Sequence, residues 1–179
     1  DYLKAGLLDR AENLYKELVQ INSRDVSARR KLLELYSLEK SWFEAKDVAL
    51  ALYNMGEPGS KLVLTHCYCE IAEKYFFEGN LKETRANLKQ AITIDERCIR
   101  ALLLMIDVHL KSNELSKAAQ LLNNLVKNSP QYIDLYIKPA REIYLNKGDS
   151  LRFQKFLVDH YEKQSTNAVA LELLESYLA

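Results

Sequence analysis

The segment Phe77-Glu78-Gly79-Asn80-Leu81 decides the fold, because segments like it recur along the chain at nearly constant intervals. The related segments are Lys4-Ala5-Gly6-Leu7-Leu8, Glu39-Lys40-Ser41-Trp42, Ser112-Asn113-Glu114-Leu115 and Asn146-Lys147-Gly148-Asp149-Ser150-Leu151. Their central residues are Gly6, Lys40, Gly79, Asn113 and Gly148, which lie 34, 39, 34 and 35 residues apart. Glycine and asparagine accept the left-handed backbone conformation in which a helix ends. Each segment is therefore predicted to be a tight turn between two helices.

A second periodic feature lies five residues after each central position. The residues there are Ala11, Ala45, Thr84, Ala118 and Phe153, and all but the last are small enough for two helices to cross closely. A period of about 34 residues built from helix, turn and helix is typical of the tetratricopeptide repeat. The sequence therefore predicts an all-α protein, a right-handed solenoid of antiparallel helix pairs whose first helices line a concave groove.

The same register gives the boundaries of a single repeat array over residues 1–179. Repeats are predicted at 26–64, 65–98, 99–132 and 133–167, with the second helix of a partial repeat in 1–25 and a terminal helix in 168–179. The longer step of 39 residues places an insertion around 54–61, where Gly56-Glu57-Pro58-Gly59-Ser60 predicts a turn. The last repeat departs most from the pattern, because Phe153 replaces a small residue and Arg141 replaces an apolar one.

The amino-acid composition argues against several classes of function. The chain has 25 Lys and Arg against 25 Asp and Glu, so its net charge is zero, which argues against nucleic acid or a polybasic membrane contact. Hydrophobic residues make up 48%, with five glycines and three prolines, as expected of a folded helical chain. No signal peptide or membrane-spanning run is apparent, and any anchor is expected outside these residues. Three cysteines favour a reducing compartment.

The segment His66-Cys67-Tyr68-Cys69 is the main candidate for chemistry. His66 and Cys69 share a helix face, but a structural zinc site needs four ligands and no second pair is present. A hydrolase or transferase that uses His66 and Cys69 is a third interpretation, without an apparent oxyanion-hole loop or third partner. We therefore predict a non-enzymatic protein with no metal, cofactor or catalytic residue here. Trp42 is predicted to pack between repeats rather than to bind a partner.

The first helices of the repeats carry an acidic column. It reads Glu34, Glu73, Asp107 and Glu142, and one turn earlier stand Arg30, Cys69, Leu103 and Lys138. The residues predicted to bind a partner in the groove are Arg30, Glu34, His66, Glu73, Arg100, Leu103, Asp107, Lys138 and Glu142. Such a face predicts a partner segment with Lys or Arg beside apolar anchors. A solvated face with binding elsewhere is the alternative. The pattern also departs from the basic carboxylate clamp of chaperone-binding tetratricopeptide domains.

Several strings are more specific than the general repeat pattern. They are Leu3-Lys4-Ala5-Gly6-Leu7-Leu8-Asp9-Arg10-Ala11-Glu12, Leu32-Leu33-Glu34-Leu35-Tyr36, Glu39-Lys40-Ser41-Trp42 and Tyr68-Cys69-Glu70-Ile71-Ala72. These strings resemble the lipopolysaccharide assembly protein B family of Gram-negative bacteria. The insertion before the Cys69 repeat and the aromatic Phe153 are similar too. The resemblance extends along the whole chain and is densest in residues 1–75.

The resemblance implies an adaptor rather than an enzyme. Members of that family carry a membrane anchor, cytoplasmic repeats and a rubredoxin-like metal domain with paired Cys-x-x-Cys motifs. Those motifs do not occur here, so no metal binding is transferred to Cys67, Cys69 or Cys98. The implied partners are the membrane protease FtsH and the deacetylase committed to lipid A synthesis, whose degradation the family promotes at the cytoplasmic face of the inner membrane. The alternatives are a generic peptide-binding tetratricopeptide adaptor and, for the state of assembly, a homodimer through an exposed end face.

Overall fold

Helices joined by short turns make up the part of the chain that the computed structural model describes, residues 2–146, 148–162 and 166–178. In these residues no strand is present, and one short 3₁₀ turn, Pro130–Tyr132, precedes α8. The helices are α1 Tyr2–Ile21, α2 Val26–Leu38, α3 Trp42–Asn54, α4 Ser60–Phe77, α5 Leu81–Ile94, α6 Ile99–Lys111, α7 Leu115–Asn128, α8 Ile133–Asn146, α9 Ser150–Tyr161 and α10 Asn167–Leu178. Among the described residues, no helix is both long enough and apolar enough to span a membrane.

Four of the five predicted turns are confirmed by their backbone conformation. Lys40, Gly79, Asn113 and Gly148 all have positive φ, at 57°, 76°, 55° and 67°. The residue after each turn donates its backbone N–H to the carbonyl of an upstream aromatic residue, at 2.8 to 3.0 Å: Ser41 to Tyr36, Asn80 to Tyr75, Glu114 to His109 and Asp149 to Tyr144. This six-to-one hydrogen bond with a left-handed residue is the Schellman motif that ends a helix. The repeated segments are therefore repeated helix ends.

Two of these turns also begin the next helix. The Asn80 side chain accepts a hydrogen bond from the backbone N–H of Glu83 at 3.2 Å, and the Asp149 side chain accepts one from Arg152 at 3.2 Å. Each side chain thereby satisfies one of the N–H groups that the first turn of a helix leaves without a partner. A turn of three residues thus ends one helix and caps its successor.

The predicted turn at Gly6 is wrong. Gly6 lies inside α1, which runs without a break from Tyr2 to Ile21. The backbone of Gly6 is therefore helical and lacks the left-handed conformation that ends a helix at the other four positions. A glycine flanked by lysine, alanine and leucine stays helical at a cost of about 1 kcal/mol relative to alanine.

The insertion around 54–61 lengthens a helix as well as a loop. Gly56 and Gly59 have positive φ, at 76° and 80°, and they turn the chain between α3 and α4. Helix α4 then begins at Ser60, so the predicted repeat boundary at residue 65 falls inside this helix. By contrast, three other helices begin at the first residue of a predicted repeat: α2 at Val26, α6 at Ile99 and α8 at Ile133.

The chain divides into two compact units, 1–98 and 99–179. In the N-terminal unit each helix from α1 to α5 contacts the next one along the chain. A core cluster of this unit consists of Leu32, Tyr36, Ala45, Ala49, Leu64 and Cys67. The hydroxyl of Tyr36 also donates to Glu12 Oε1 at 2.9 Å, which joins α2 to α1. The small residue predicted at the helix crossing, Ala45, is fully buried.

In the C-terminal unit α8 occupies the central position, because it contacts α6, α7, α9 and α10. The core cluster here includes Ile106, Leu122, Tyr136, Ile143, Phe153, Leu157 and Val169. Phe153, which departs from the small-residue pattern, is buried and lies 6.4 Å from Tyr144 between ring centroids. The larger side chain therefore fills the core of the last repeat instead of disrupting it.

Candidate partner-binding surface

Two residues of the N-terminal unit that are predicted to bind a partner, Arg30 and Glu34, form ion pairs with nearby side chains. Arg30 is exposed on α2 and pairs with Glu57 of the α3–α4 loop. Glu34 is exposed one turn later, and its Oε2 lies 2.8 Å from Lys31 Nζ. Exposed pairs of this kind contribute less than about 1 kcal/mol, so a partner could displace them at low cost.

The acidic residues of this unit, Glu34 and Glu73, lie on two helices that both pack against α3. In the range 26–77, all of it described, no backbone contact joins α2 to α4, and α3 packs against both. Glu73 is half-buried on α4, whereas Glu34 is exposed on α2. Glu34 and Glu73 therefore occupy equivalent repeat positions but differ in exposure.

His66 is exposed on α4 and contacts Trp42 of α3. The two rings meet edge to face with centroids 5.2 Å apart, and His66 Nε2 lies 3.6 Å from Glu70 Oε1. Trp42 is half-buried and packs against the core cluster of the N-terminal unit, in line with the packing role predicted for it.

The cysteines of this region differ from one another in burial and in their contacts. Cys67 is fully buried, and its burial raises the pKa of its thiol to about 11, which disfavours the nucleophilic thiolate. The Sγ atom of Cys69 lies 3.9 Å from Sγ of Cys98, which precedes α6. Within the described part of the chain, no group of three or more His, Cys, Asp and Glu residues is arranged to hold a metal ion.

The acidic column comes together in the C-terminal unit. Asp107 on α6 is half-buried, and burial raises the pKa of its carboxyl, an effect that the nearby carboxylate of Glu142 reinforces. Lys138 and Lys111 oppose this rise by favouring the charged form. Since α6 and α8 are in contact, two acids and a lysine from different helices form one coupled group. We call Asp107, Lys138 and Glu142 the α6–α8 acidic group.

The other residues of this unit that are predicted to bind a partner, Leu103 and Arg100, lie outside the α6–α8 acidic group. Leu103 is half-buried and packs against the core cluster of the unit, so part of its side chain stabilises the fold. Arg100 is half-buried in the first turn of α6. By contrast, Leu135 and Leu145 on α8 are 53% and 50% exposed. Residues 135, 138, 142 and 145 share one face of α8, because they are three or four positions apart.

Sequence reasoning missed a cluster between α8 and α10. Arg141, singled out only as a departure from the repeat, pairs with Glu172, and its Nη2 lies 3.1 Å from Glu175 Oε2. A cleft of about 530 Å³ lies beside it, lined by Arg141, Leu145, Ser150, Phe153, Gln154, Glu172, Glu175 and Ser176. The signal in the sequence was the i, i+3 spacing of two acids in the terminal helix, opposite an arginine at an apolar position.

These features define the class of protein. The helix pairs, the left-handed turns and the small crossing residues are those of the tetratricopeptide-repeat fold, and residues 76–137 match the family model described as tetratricopeptide repeat. Two solved structures show the same fold. One is YrrB, described as a tetratricopeptide-repeat protein with an unusual peptide-binding site, at a TM-score of 0.58 and 16% identity, covering 96% of this chain and 86% of YrrB.

The second structure is a thermophilic tetratricopeptide-repeat protein of Thermus thermophilus, at a TM-score of 0.52 and 17% identity. It covers 99% of this chain and 94% of the Thermus chain. The structural similarity establishes the fold. At identities this low, the function has to be argued from the residues of this chain itself.

In sequence, the chain is similar to lipopolysaccharide assembly protein B. It is 28% identical to the Haemophilus influenzae protein over 158 residues and 26% identical to the Escherichia coli K12 protein over 157 residues. Each match covers 88% of this chain and 40% of the relative. The resemblance seen in the sequence strings is thus confirmed for the repeat region, and the chain spans about two fifths of the length of these relatives.

Proposed function

We propose that this chain is a non-enzymatic scaffold that binds a basic, partly apolar segment of a partner protein on the α6–α8 face of its C-terminal unit. The observation that carries the proposal is the coupled pair of carboxylates, Asp107 and Glu142, on adjacent helices of a repeat fold. Repeat proteins of this class present extended surfaces for binding, without a closed catalytic cleft.

Electrostatics favours a cationic ligand at this pair. The raised pKa of Asp107 means that its charged form is disfavoured by burial and by Glu142. A guanidinium or ammonium group placed between the two carboxylates would remove that penalty, because an opposite charge stabilises the ionised form. Lys138 supplies part of this compensation in the free protein, so an incoming cation competes with it.

Apolar contacts are available beside the α6–α8 acidic group. Leu135 and Leu145 flank Lys138 and Glu142 on the same face of α8, and both are about half exposed. A partner with leucine-like residues next to its basic residue would bury these side chains, and burial of apolar area contributes about 25 cal/mol per Å². Charge and shape together therefore favour an amphipathic basic segment. The peptide-binding site of YrrB, which has the same fold, supports a peptide segment as the ligand.

An array of short synthetic peptides tests this proposal. Peptides that alternate Arg or Lys with Leu are compared with the same peptides in which Glu replaces each basic residue. We expect binding of the basic set only, and weakening as ionic strength rises. Asp107→Asn and Glu142→Gln are each expected to reduce affinity by about 2- to 5-fold, as for loss of one partly exposed ion pair.

A matched control uses the same chemistry elsewhere in the unit. Asp159 is exposed on α9, and Asp159→Asn removes one negative charge without touching the α6–α8 acidic group. This variant is expected to bind like the unmodified protein. If basic and acidic peptides bind equally, or if Asp159→Asn weakens binding as much as Asp107→Asn, the assignment of the site is wrong.

A more specific cellular role is supported by the relatives. We propose that the protein regulates lipopolysaccharide biosynthesis as an adaptor at the cytoplasmic face of the inner membrane, where it promotes degradation of the lipid A-committing deacetylase by FtsH. The similarity to lipopolysaccharide assembly protein B over 88% of this chain supports this role. A peptide-binding adaptor unrelated to lipopolysaccharide is the alternative, and the solved tetratricopeptide structures fit it equally well.

The half-life of the deacetylase in cells separates these two functions. After protein synthesis is stopped, the deacetylase is followed in cells that produce the protein, in cells that lack it, and in cells with Asp107→Lys and Glu142→Lys together. The lipopolysaccharide role predicts a longer half-life without the protein. A similar half-life in both strains would instead favour the unrelated adaptor. The double variant then shows whether the α6–α8 acidic group takes part.

A homodimer is a further proposal. Helix α1 exposes Leu7, Leu14 and Ile21 at 65%, 55% and 83%, a row of apolar residues that a second copy could cover. Light scattering at increasing protein concentration measures the mass directly. We expect a concentration-dependent dimer that Leu14→Lys with Ile21→Lys abolishes. A constant monomer mass would rule it out.

A further inference from the structure

Two of the three cysteines are in contact although 29 residues separate them in the sequence. Cys69 lies in the middle of α4 and is buried, and Cys98 is half-buried in the turn that links α5 to α6. Their Sγ atoms are 3.9 Å apart. The turn is held by a hydrogen bond from the Cys98 N–H to the Asp95 carbonyl at 3.0 Å. A helix thus presents one thiol to another that lies outside any helix.

The two thiols are in contact but are not bonded to each other. A disulfide bond requires the two sulfur atoms to approach to about 2.05 Å from a contact distance of almost twice that value. Rotation of the Cys98 side chain and a small shift of its turn would supply that approach, because Cys98 precedes the first residue of α6 and is not constrained by a helical backbone. Cys69 can therefore stay in place within α4.

Cys67 provides an internal comparison. It lies two residues before Cys69, a spacing that places the two side chains on different sides of a helix. Cys67 is fully buried and belongs to the core cluster with Leu64 and Ala45. The chain therefore contains one thiol pair in contact and one thiol enclosed in the core.

We propose that Cys69 and Cys98 are a redox modification site, at which a hydroperoxide such as hydrogen peroxide converts the two thiols into an intramolecular disulfide. Cys98, the more accessible thiol, attacks one peroxide oxygen to form a sulfenic acid, and water leaves. Cys69 Sγ then attacks Cys98 Sγ, the S–S bond forms, and a second water leaves. The two thiols together lose two electrons and two protons, and the peroxide is reduced to two water molecules.

The disulfide would tie α4 to the turn that follows α5, within the N-terminal unit. It would close a loop of 29 residues, which limits the conformations of the unfolded chain. For a chain of this size we expect the melting temperature to rise by about 5 to 10 °C on oxidation and to return on reduction. In a reducing compartment such a bond would form only transiently, as in other redox-sensing intracellular thiol pairs.

The test begins with thiol counting on the intact protein. The reduced protein is freed of reductant and treated with hydrogen peroxide, and thiols are titrated in denaturant with Ellman's reagent. We expect the count to fall from three to one in a species that remains monomeric on a non-reducing gel. Dithiothreitol should restore three thiols, which distinguishes a disulfide from irreversible oxidation.

Peptide mapping then identifies the partners. Trypsin leaves Cys67 and Cys69 on one peptide, residues 62–74, and leaves Cys98 on the peptide Cys98-Ile99-Arg100. We expect these two peptides to be joined. Cys67→Ala distinguishes the cysteines that share a peptide, because it should retain the link and the rise in melting temperature. Cys98→Ser should lose both, and its position outside the helices makes it the milder substitution for folding.

Three results would overturn the proposal. The first is a folded, peroxide-treated monomer that keeps three thiols. The second is a link that joins Cys67 or two copies of the chain instead of Cys69 and Cys98. The third is the same loss of two thiols in Cys98→Ser, which would mean that Cys67 and Cys69 had paired. The mapping on the unmodified chain decides the question even where a variant fails to fold.

Discussion

The same substitution, glycine to alanine, should have opposite effects at Gly79 and Gly6. Gly79 has a φ of 76°, a conformation that costs an L-residue about 1 to 2 kcal/mol. A Cβ atom placed there would have no atom within 4 Å, so the backbone alone determines the cost. Because alanine also restricts the unfolded chain, Gly79→Ala is expected to lower the free energy of unfolding by about 1 kcal/mol.

Gly6 occupies the equivalent sequence position but lies within α1. A Cβ atom there would also have no atom within 4 Å. Alanine stabilises the interior of a helix by about 0.5 to 1 kcal/mol relative to glycine, and less near a helix end. Gly6→Ala is therefore expected to raise stability or leave it unchanged. Lys40, with a φ of 57°, supplies the reverse case, since Lys40→Gly should stabilise by about 1 kcal/mol.

Urea unfolding followed by circular dichroism at 222 nm measures all three variants against the unmodified chain. The midpoint should fall for Gly79→Ala, rise for Lys40→Gly, and stay equal or rise for Gly6→Ala, at an unchanged slope. A fall of similar size for Gly6→Ala and Gly79→Ala would refute the reasoning, because it would mean that both residues end a helix. A destabilised Lys40→Gly would show that the Lys40 side chain, and not its backbone, matters.

Three other substitutions test contacts in the two units. Asp107→Asn is expected to raise stability at pH 7, because it removes a buried charge. This advantage should disappear as the pH falls from the raised pKa of Asp107 toward 3.8, since protonation then removes the same charge from the unmodified protein. Thermal melts across this pH range measure the difference in stability. Arg141→Gln breaks the pair with Glu172 and should destabilise by about 1 kcal/mol, with faster hydrogen exchange in α10. Tyr36→Phe removes the hydrogen bond to Glu12 and should cost about 1 kcal/mol in urea unfolding.

The helix ends could be predicted from the sequence because their determinants are local. A left-handed residue followed by a capping side chain is encoded within a few positions, so Gly79 with Asn80 and Gly148 with Asp149 are recognisable without knowledge of the fold. Lys40 was identified only by its register with the other turns. The same register misassigned Gly6, because a repeat period specifies a position and not the backbone conformation adopted there.

Contacts between distant residues were less accessible to sequence reasoning. Arg141 meets Glu172 some thirty positions away, and the pair depends on how α10 packs against α8. The contact between Cys69 and Cys98 depends in the same way on where the α5–α6 turn lies beside α4. Which distant residues meet depends on how the helices pack. A single sequence shows only which residue types could pair, and not which of them come together.

The acidic column shows that residues at equivalent positions of a repeat can have different surroundings. Helix α6 touches α8, and burial together with nearby Glu142 raises the pKa of Asp107, so the Asp107 carboxylate is costly to keep charged without a cation. In the N-terminal unit the insertion adds a loop with two left-handed glycines and a longer α4, and the helices that carry Glu34 and Glu73 make no backbone contact within 26–77. Equivalent acids therefore lie in different surroundings because their helices differ in packing. A basic segment should accordingly lose more affinity when Asp107 is neutralised than when Glu34 is, although both stand in the same column of the repeat.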